Sequence, residues 1–313
     1  MTDAAGCLLG GMIADIIGAV VEGESPKYIR KTFRTLDDML ALDRVEEVLG
    51  QYWTVGRFTD DTIMTLCVAE WLLECEELDG ENLLDRFEKS YRPARRYGSG
   101  TARILEAFPE HRKEWRSLAT LMFPDGSFGN GAAMRVGPIG CRYAADPVGR
   151  RRAVRTSAIT THAHPLAIIG ATLQATAIAT TDMQALRNDV AWFEGQGQDV
   201  EAYRTALEIM AQGLENDAPP EVLADRLGTG IAAHESVPMA IYCALRSLDD
   251  YERALTEAIF LGGDADTIAC MAGAIVGARL GVQAIPRRWL ARVREDFYTP
   301  ARVQALGKRF LTC

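Results

Sequence analysis

The chain has 313 residues, with 34 basic against 43 acidic side chains and a net charge of −9. That balance excludes non-specific binding to nucleic acid or to an anionic membrane, since both need a basic surface; a small anionic ligand in a local pocket stays open. An apolar content of 48% supplies a core, and its periodicity is helical almost throughout, with no βαβ rhythm, so the predicted class is all-α.

The first predicted element is a helix over residues 6–18, in which Gly6, Gly10, Ala14 and Gly18 recur four apart. Glycine inside a helix costs about 1 kcal/mol against alanine, so a one-sided stripe predicts that another helix approaches closely. Asp15 and Glu22 are seven apart and would share a side of that helix. Glu22 reads either as an exposed helix-end carboxylate or as an acid near a metal. Next comes "GRFTDDTIMTLCVAEWLL", residues 56–73. Thr59 suits an N-cap, and Asp60 and Asp61 would then complement the helix dipole from the first turn. Residues 63–73 are apolar almost all round, which predicts a buried helix. Capping alone accounts for this stretch; so does a metal site.

"RPARRYG", residues 92–98, reads as a solvated basic turn. "GSFGNGAAMRVGPIG", residues 126–140, is a Gly-rich loop leading into a helix start. Its order, G-x-x-G-x-G, is not the dinucleotide fingerprint. It suits either a tight turn or a backbone nest for a diphosphate, with Phe128 available to stack on a base. In "TTHAHP", His162 and His164 lie at i, i+2 and cannot share a helix face. Two readings stay open: a single histidine lining a pocket, or a histidine satisfied structurally. Residues 182–228 are more polar and read as peripheral helices and loops.

Near the C-terminus, "GGDADTIACMAGAIVGA", residues 262–278, repeats the earlier logic. Asp264 and Asp266 precede Thr267 and an uncharged helical run, and Ala269, Gly273, Gly277 and Gly281 form a second small-residue stripe. If the two helix starts face each other, four carboxylates converge, and they cannot all remain ionised without a counter-charge. A hard divalent cation supplies it, and an oxygen-only donor set from Asp and Thr favours Mg²⁺, with Mn²⁺ or Ca²⁺ as substitutes.

No run of about twenty uncharged apolar residues occurs, so no membrane span is expected. "MTDAAG" has no basic leader region. Seven cysteines, none in a C-x-x-C, read as reduced core residues of a cytoplasmic protein.

Taken in order along nearly the whole chain, "GCLLGGMIADIIGAVVEG", "GRFTDDTIMTLCVAEWLL", "GSFGNGAAMRVGPIG", "THAHPLAIIGATLQA", "SVPMAIYCALR" and "AIFLGGDADTIACMAGAIVGARLG" resemble the ADP-ribosylglycohydrolase family. The "GSFGNGAAMR" and "SVPMAIYC" segments look most like its branch directed at serine-linked and poly-ADP-ribose. The resemblance implies a single domain over 1–313, a compact orthogonal helical bundle with a central binuclear Mg²⁺ site. It implies hydrolysis of the glycosidic bond between ADP-ribose and an acceptor, with ADP-ribosylated proteins or small molecules as partners. By motif position it implies Thr59, Asp60, Asp61, Asp264, Asp266 and Thr267 as metal ligands, and Glu22 and Asp61 as catalytic groups. Gly126, Ser127, Phe128, Gly129 and Asn130 would line the ADP-ribose cleft, with Phe123 and His162 beside them. Two departures bear on substrate preference: Ala265 replaces a threonine of the family's DTDT, and Phe128 stands where the serine-directed branch tends to have tyrosine. The competing readings are an ADP-ribosyl-arginine hydrolase and a non-catalytic, crystallin-like ADP-ribose binder. Prenyl-diphosphate enzymes also hold Mg²⁺ on Asp-rich helices, but their Asp motifs lie within helices, whereas these open them.

Overall fold

The computed structural model describes residues 2–42, 53–75 and 77–311. Among them are helices and no strand, as the periodicity predicts. In chain order they are α1 (Ala4–Gly18), α2 (Pro26–Thr32), α3 (Leu36–Ala41), α4 (Asp60–Glu74), α5 (Gly80–Ser90), α6 (Ser99–Ala107), α7 (Trp115–Leu118), α8 (Gly137–Arg142) and α9 (Pro147–Ala158). They continue with α10 (Pro165–Ala179), α11 (Met183–Gly195), α12 (Glu201–Glu215), α13 (Pro220–Leu227), α14 (Ala233–Arg246), α15 (Tyr251–Ile259), α16 (Ala265–Leu280), α17 (Arg287–Leu290) and α18 (Pro300–Lys308).

The centre is the pair α1 and α16, buried along almost their whole length. Their small-residue stripes pack directly on each other. A Cβ at Gly10 would lie 2.4 Å from the Gly273 carbonyl oxygen, and one at Gly277 would lie 2.2 Å from that of Gly6. Only glycine lets the two backbones come this close, so the propensity cost is offset by contact along the whole seam. Around the pair stand α4, α14, α15 and α18. Tyr251 at the start of α15 donates its hydroxyl to the Gly10 carbonyl, tying α15 to the seam.

The start of α4 is fixed against α1 by Asp15, which is fully buried. Its carboxylate accepts the backbone N–H groups of Thr59 and Thr62, each at 3.1 Å, and the Thr62 hydroxyl at 2.5 Å. Helices α11 to α13, from the polar stretch, lie outside the central pair and pack on α10 and α14.

Candidate metal centre and cleft

Helix α1 ends at Gly18, so Asp15 and Glu22 do not share a helix face as their spacing suggested. Asp15 turns inward to hold α4, and Glu22 sits in the following turn. What brings Glu22 to the site is a backbone pairing with the turn before α16. Gly23 N–H donates to the Gly263 carbonyl (2.8 Å), and Gly263 N–H donates to that of Glu24 (3.1 Å). Gly263 adopts φ +68°, and a Cβ there would meet the Thr229 carbonyl oxygen at 2.3 Å, so the turn requires glycine. The outcome is a group in which Glu22, Asp264 and Asp266 each offer a carboxylate oxygen within 4.8 Å of the others. From the other helix start, Asp61 Oδ1 accepts the Thr267 hydroxyl at 3.4 Å. The two Asp-rich helix starts therefore face each other.

Capping explains only part of this. Thr59 is the N-cap of α4, its hydroxyl accepting the Asp61 N–H; it is fully buried and does not line the cleft. Asp264 occupies the N-cap position of α16 yet makes no capping bond, accepting instead from the Asn130 side-chain amide. Asp61 Oδ2 is buried with no hydrogen-bond partner among the described residues. A buried carboxylate oxygen left unpaired is costly, and a cation is the partner that would satisfy it.

Burial pushes the carboxyls of Asp60, Asp61 and Asp266 well above the ordinary aspartate range, and neighbouring carboxylates push them further. Burial likewise raises Asp15 and Asp264 to about 6. So many buried carboxyls this close together cannot all ionise without a nearby counter-charge. The donor set is all oxygen, which fits a hard divalent ion.

The carboxylates open into a cleft of about 210 Å³ whose walls include Ser127, Gly129, Asn130, Phe123 and His162. The Gly-rich loop forms its far side, held by a bridge between Gly129 and Ala232 and ending in a 3₁₀ turn, Asn130–Ala132. Asn130 also donates to Ser236, joining loop, α14 and Asp264. Gly126 and Phe128 lie outside the cleft lining. Gly126 makes the preceding turn, and the half-exposed Phe128 ring packs edge-on against His164 at 5.8 Å. The two histidines separate as their spacing requires: His162 reaches the cleft, whereas His164 caps α10 by accepting the Leu166 N–H.

The basic turn at 92–98 is not simply solvated. Arg95 makes a two-pronged ion pair with the largely buried Glu295, at 2.5 and 2.9 Å. Arg96 lines the cleft and donates to Glu22 Oε2 (2.7 Å) and to the Ala19 carbonyl (2.8 Å), its guanidinium 4.3 Å from the Trp53 ring centroid. It holds φ +61°, a conformation costing a non-glycine residue about 1–3 kcal/mol, which these contacts offset. Its only sequence signal was a cationic run in an acidic chain, and such runs usually face water.

No described helix is long and apolar enough to cross a membrane. The model of the ADP-ribosylglycohydrolase family matches residues 2–312. ADP-ribosylhydrolase ARH3 of Mus musculus is 33% identical over 97% of this chain and 91% of its own. The Homo sapiens ARH3 is 32% identical, over 91% and 87%. A solved structure described as an ADP-ribosylglycohydrolase-related protein complex superposes with a TM-score of 0.72 at 26% identity, covering 99% of this chain and 97% of that one. With facing Asp-rich helix starts below a Gly-loop cleft and a family match across the chain, this protein belongs to the ADP-ribosylglycohydrolase family and is a hydrolase acting on ADP-ribosylated substrates.

Proposed function

We propose that this chain is a Mg²⁺-dependent hydrolase that releases ADP-ribose from oxygen-linked acceptors: ADP-ribosyl-serine, O-acetyl-ADP-ribose or poly-ADP-ribose. The observation that carries the reading is the convergence of Glu22, Asp264 and Asp266 beside Asp61, whose Oδ2 has no partner among the described residues. Asp60, Asp61, Asp264, Asp266 and Thr267 would hold two Mg²⁺ ions, with Mn²⁺ or Ca²⁺ as substitutes; Thr59 would contribute by fixing the start of α4. Bound there, the ions supply positive charge that orients ribose hydroxyls and polarises a water.

The residues of the chain do the rest. The bond from the distal ribose C1 to the acceptor oxygen breaks through an oxocarbenium-like centre. Glu22 gives a proton to the departing oxygen, Asp61 takes one from the water, and the water oxygen bonds to C1. The Ser127–Asn130 loop, Phe123 and His162 hold the ADP-ribose, with Gly126 shaping the loop and Phe128 at its rim. Arg96 supports the oxygen linkage: it places a fixed cation against Glu22, where the guanidinium of an arginyl acceptor would meet a like charge. We read 1–313 as one domain, supported by an apolar cluster that, among the described residues, links α1 to α18. The free thiols support a reducing, cytoplasmic setting.

The test is turnover of seryl-, arginyl-, O-acetyl- and poly-ADP-ribose, with and without Mg²⁺. Higher kcat/KM on the oxygen-linked substrates is expected. Preference for the arginyl substrate would overturn the linkage assignment, and undiminished activity after exhaustive chelation would overturn the metal assignment.

A further inference from the structure

Residues 126–181 include the Gly-rich wall of the cleft, and they carry Arg135, Arg142, Arg150, Arg151, Arg152 and Arg155 against a single carboxylate, Asp146. In a chain of net charge −9 this stretch is cationic. Asp146 caps α9, accepting the Gly149 N–H at 2.9 Å. Half of the arginines are used internally. Arg135 is buried and donates to Thr161 Oγ1 (2.9 Å), which lies 2.8 Å from His162 Nδ1. Arg150 is buried and donates to Thr176 Oγ1 (3.1 Å) and the Tyr143 carbonyl (2.9 Å). Arg151 pairs with the buried Asp189 (2.7 Å), its guanidinium 4.7 Å from the Trp192 ring centroid.

Arg142, Arg152 and Arg155 differ. They are exposed and make no ion pair or side-chain hydrogen bond among the described residues. Elsewhere exposed arginines meet carboxylates, as Arg30 meets Glu221, Arg204 meets Glu194 and Arg288 meets Asp37. A cationic run usually just faces water, but the position of this one sets it apart. Arg152 and Arg155 are three apart on the exposed side of α9. Helical hydrogen bonds carry that helix on into the cleft turn: Ile159 N–H donates to the Arg155 carbonyl (3.1 Å) and His162 N–H to that of Ala158 (2.7 Å). At the helical rise of 1.5 Å per residue, Arg155 stands about 10 Å along the axis from His162 in the cleft lining. The two free guanidiniums therefore form a row that runs outward from the cleft.

We propose that Arg152 and Arg155 form an exosite for a poly-ADP-ribose strand, holding phosphates of a unit next to the one in the cleft. Of the substrates proposed above, only the polymer carries further phosphates past the cleft, because every added unit brings a diphosphate with two negative charges. Exposed guanidiniums outside any pocket read such charge and not base identity. A predominantly acidic surface repels a polyanion, so the cationic wall is where the strand can lie. A contact this far from the scissile bond is made equally in the ground and transition states, so it lowers KM and leaves kcat unchanged. The identity of the strand rests on the reading given above, in which ADP-ribose fills the cleft; the unpaired cationic row does not.

The test compares the full chain with the double variants Arg152→Gln/Arg155→Gln and Arg152→Lys/Arg155→Lys. For the Gln pair, KM on poly-ADP-ribose should rise by about three- to tenfold, the scale of two exposed charge contacts, with kcat unchanged. Both constants on a seryl-mono-ADP-ribosylated peptide should stay as in wild type, and the Lys pair should restore most of the polymer KM. Fluorescence anisotropy with labelled polymer, in an Asp266→Asn background, reads binding without turnover. There the Gln pair should reduce the slope of log affinity against log salt by about 1 to 1.5, at about 0.7 per phosphate contact on a single strand. An unchanged polymer KM, or an equal rise on the mono-ADP-ribosylated peptide, overturns the proposal. Single-stranded DNA of matched length that binds as tightly as the polymer overturns it in favour of a nucleic-acid surface. Absent turnover of every ADP-ribosylated substrate would overturn the catalytic reading alone, because anisotropy and its salt slope are measured without it.

Discussion

Glu22 and Asp266 separate two kinds of dependence at the scale of single residues. Glu22→Gln keeps the size of the side chain and its bond to Arg96, but removes the transferable proton. Turnover should fall by roughly 100-fold or more, the scale of a lost acid–base group, while ADP-ribose affinity in calorimetry changes far less. Near-normal turnover would leave Glu22 as a structural partner of Arg96. Asp266→Asn removes a charge from the most crowded part of the site, where burial and then Glu22, Asp264 and Asp61 all raise its carboxyl. It should abolish activity and Mg²⁺ binding by calorimetry yet leave the fold intact, because fewer buried carboxylates repel one another. Retained stoichiometric Mg²⁺ binding would remove Asp266 from the ligand set.

The seam between α1 and α16 sets the position of both walls of the site, so it is the element most exposed to small changes. Gly277→Ala would drive a methyl into the Gly6 carbonyl. Since backbone cannot rotate aside as a side chain can, a loss of about 3 kcal/mol is expected, at the upper end of overpacking costs. Gly195→Ala at the end of α11 is the control: a Cβ there meets nothing within 4 Å, so stability should hold or rise by up to about 1 kcal/mol. Chemical denaturation of the two variants checks this, and equal stabilities would mean that the seam yields by sliding.

Across the whole molecule, the buried carboxylates link stability to pH, and a cation bound among them would join that linkage. Asp15 and Asp264 rise from 3.8 to about 6 in the folded chain without a cation. Below 3.8 both are protonated in either state and cost nothing. Between 3.8 and about 6 the unfolded chain ionises first, so it binds fewer protons and the cation-free fold loses stability as pH rises; above that window the loss is complete. A divalent ion offsets it only where the carboxylates are ionised. The rise in Tm on adding Mg²⁺ should therefore be larger at about pH 7 than at about pH 4.5. An equal rise at both would place the stabilising cation elsewhere.

The sequence by itself determined the helical class and marked two helix starts as the halves of a candidate centre. Apolar periodicity marks α4 and α16 as buried, and Asp–Thr helix starts mark their N-terminal ends as candidates for chemistry, because such patterns are local to one element. It also determined that Gly6, Gly10, Gly273 and Gly277 face something close, though not that they face each other. Tertiary structure alone decided the rest. Glu22 reaches Asp264 through a turn paired with Gly263, not through a helix face, and Asp15 supports α4 from within α1. Arg96 leaves its basic run to meet Glu22, and Arg135 reaches His162 only through Thr161. Each of these depends on partners at least 20 residues away in sequence, brought together only when the chain packs, and no local periodicity records such a contact.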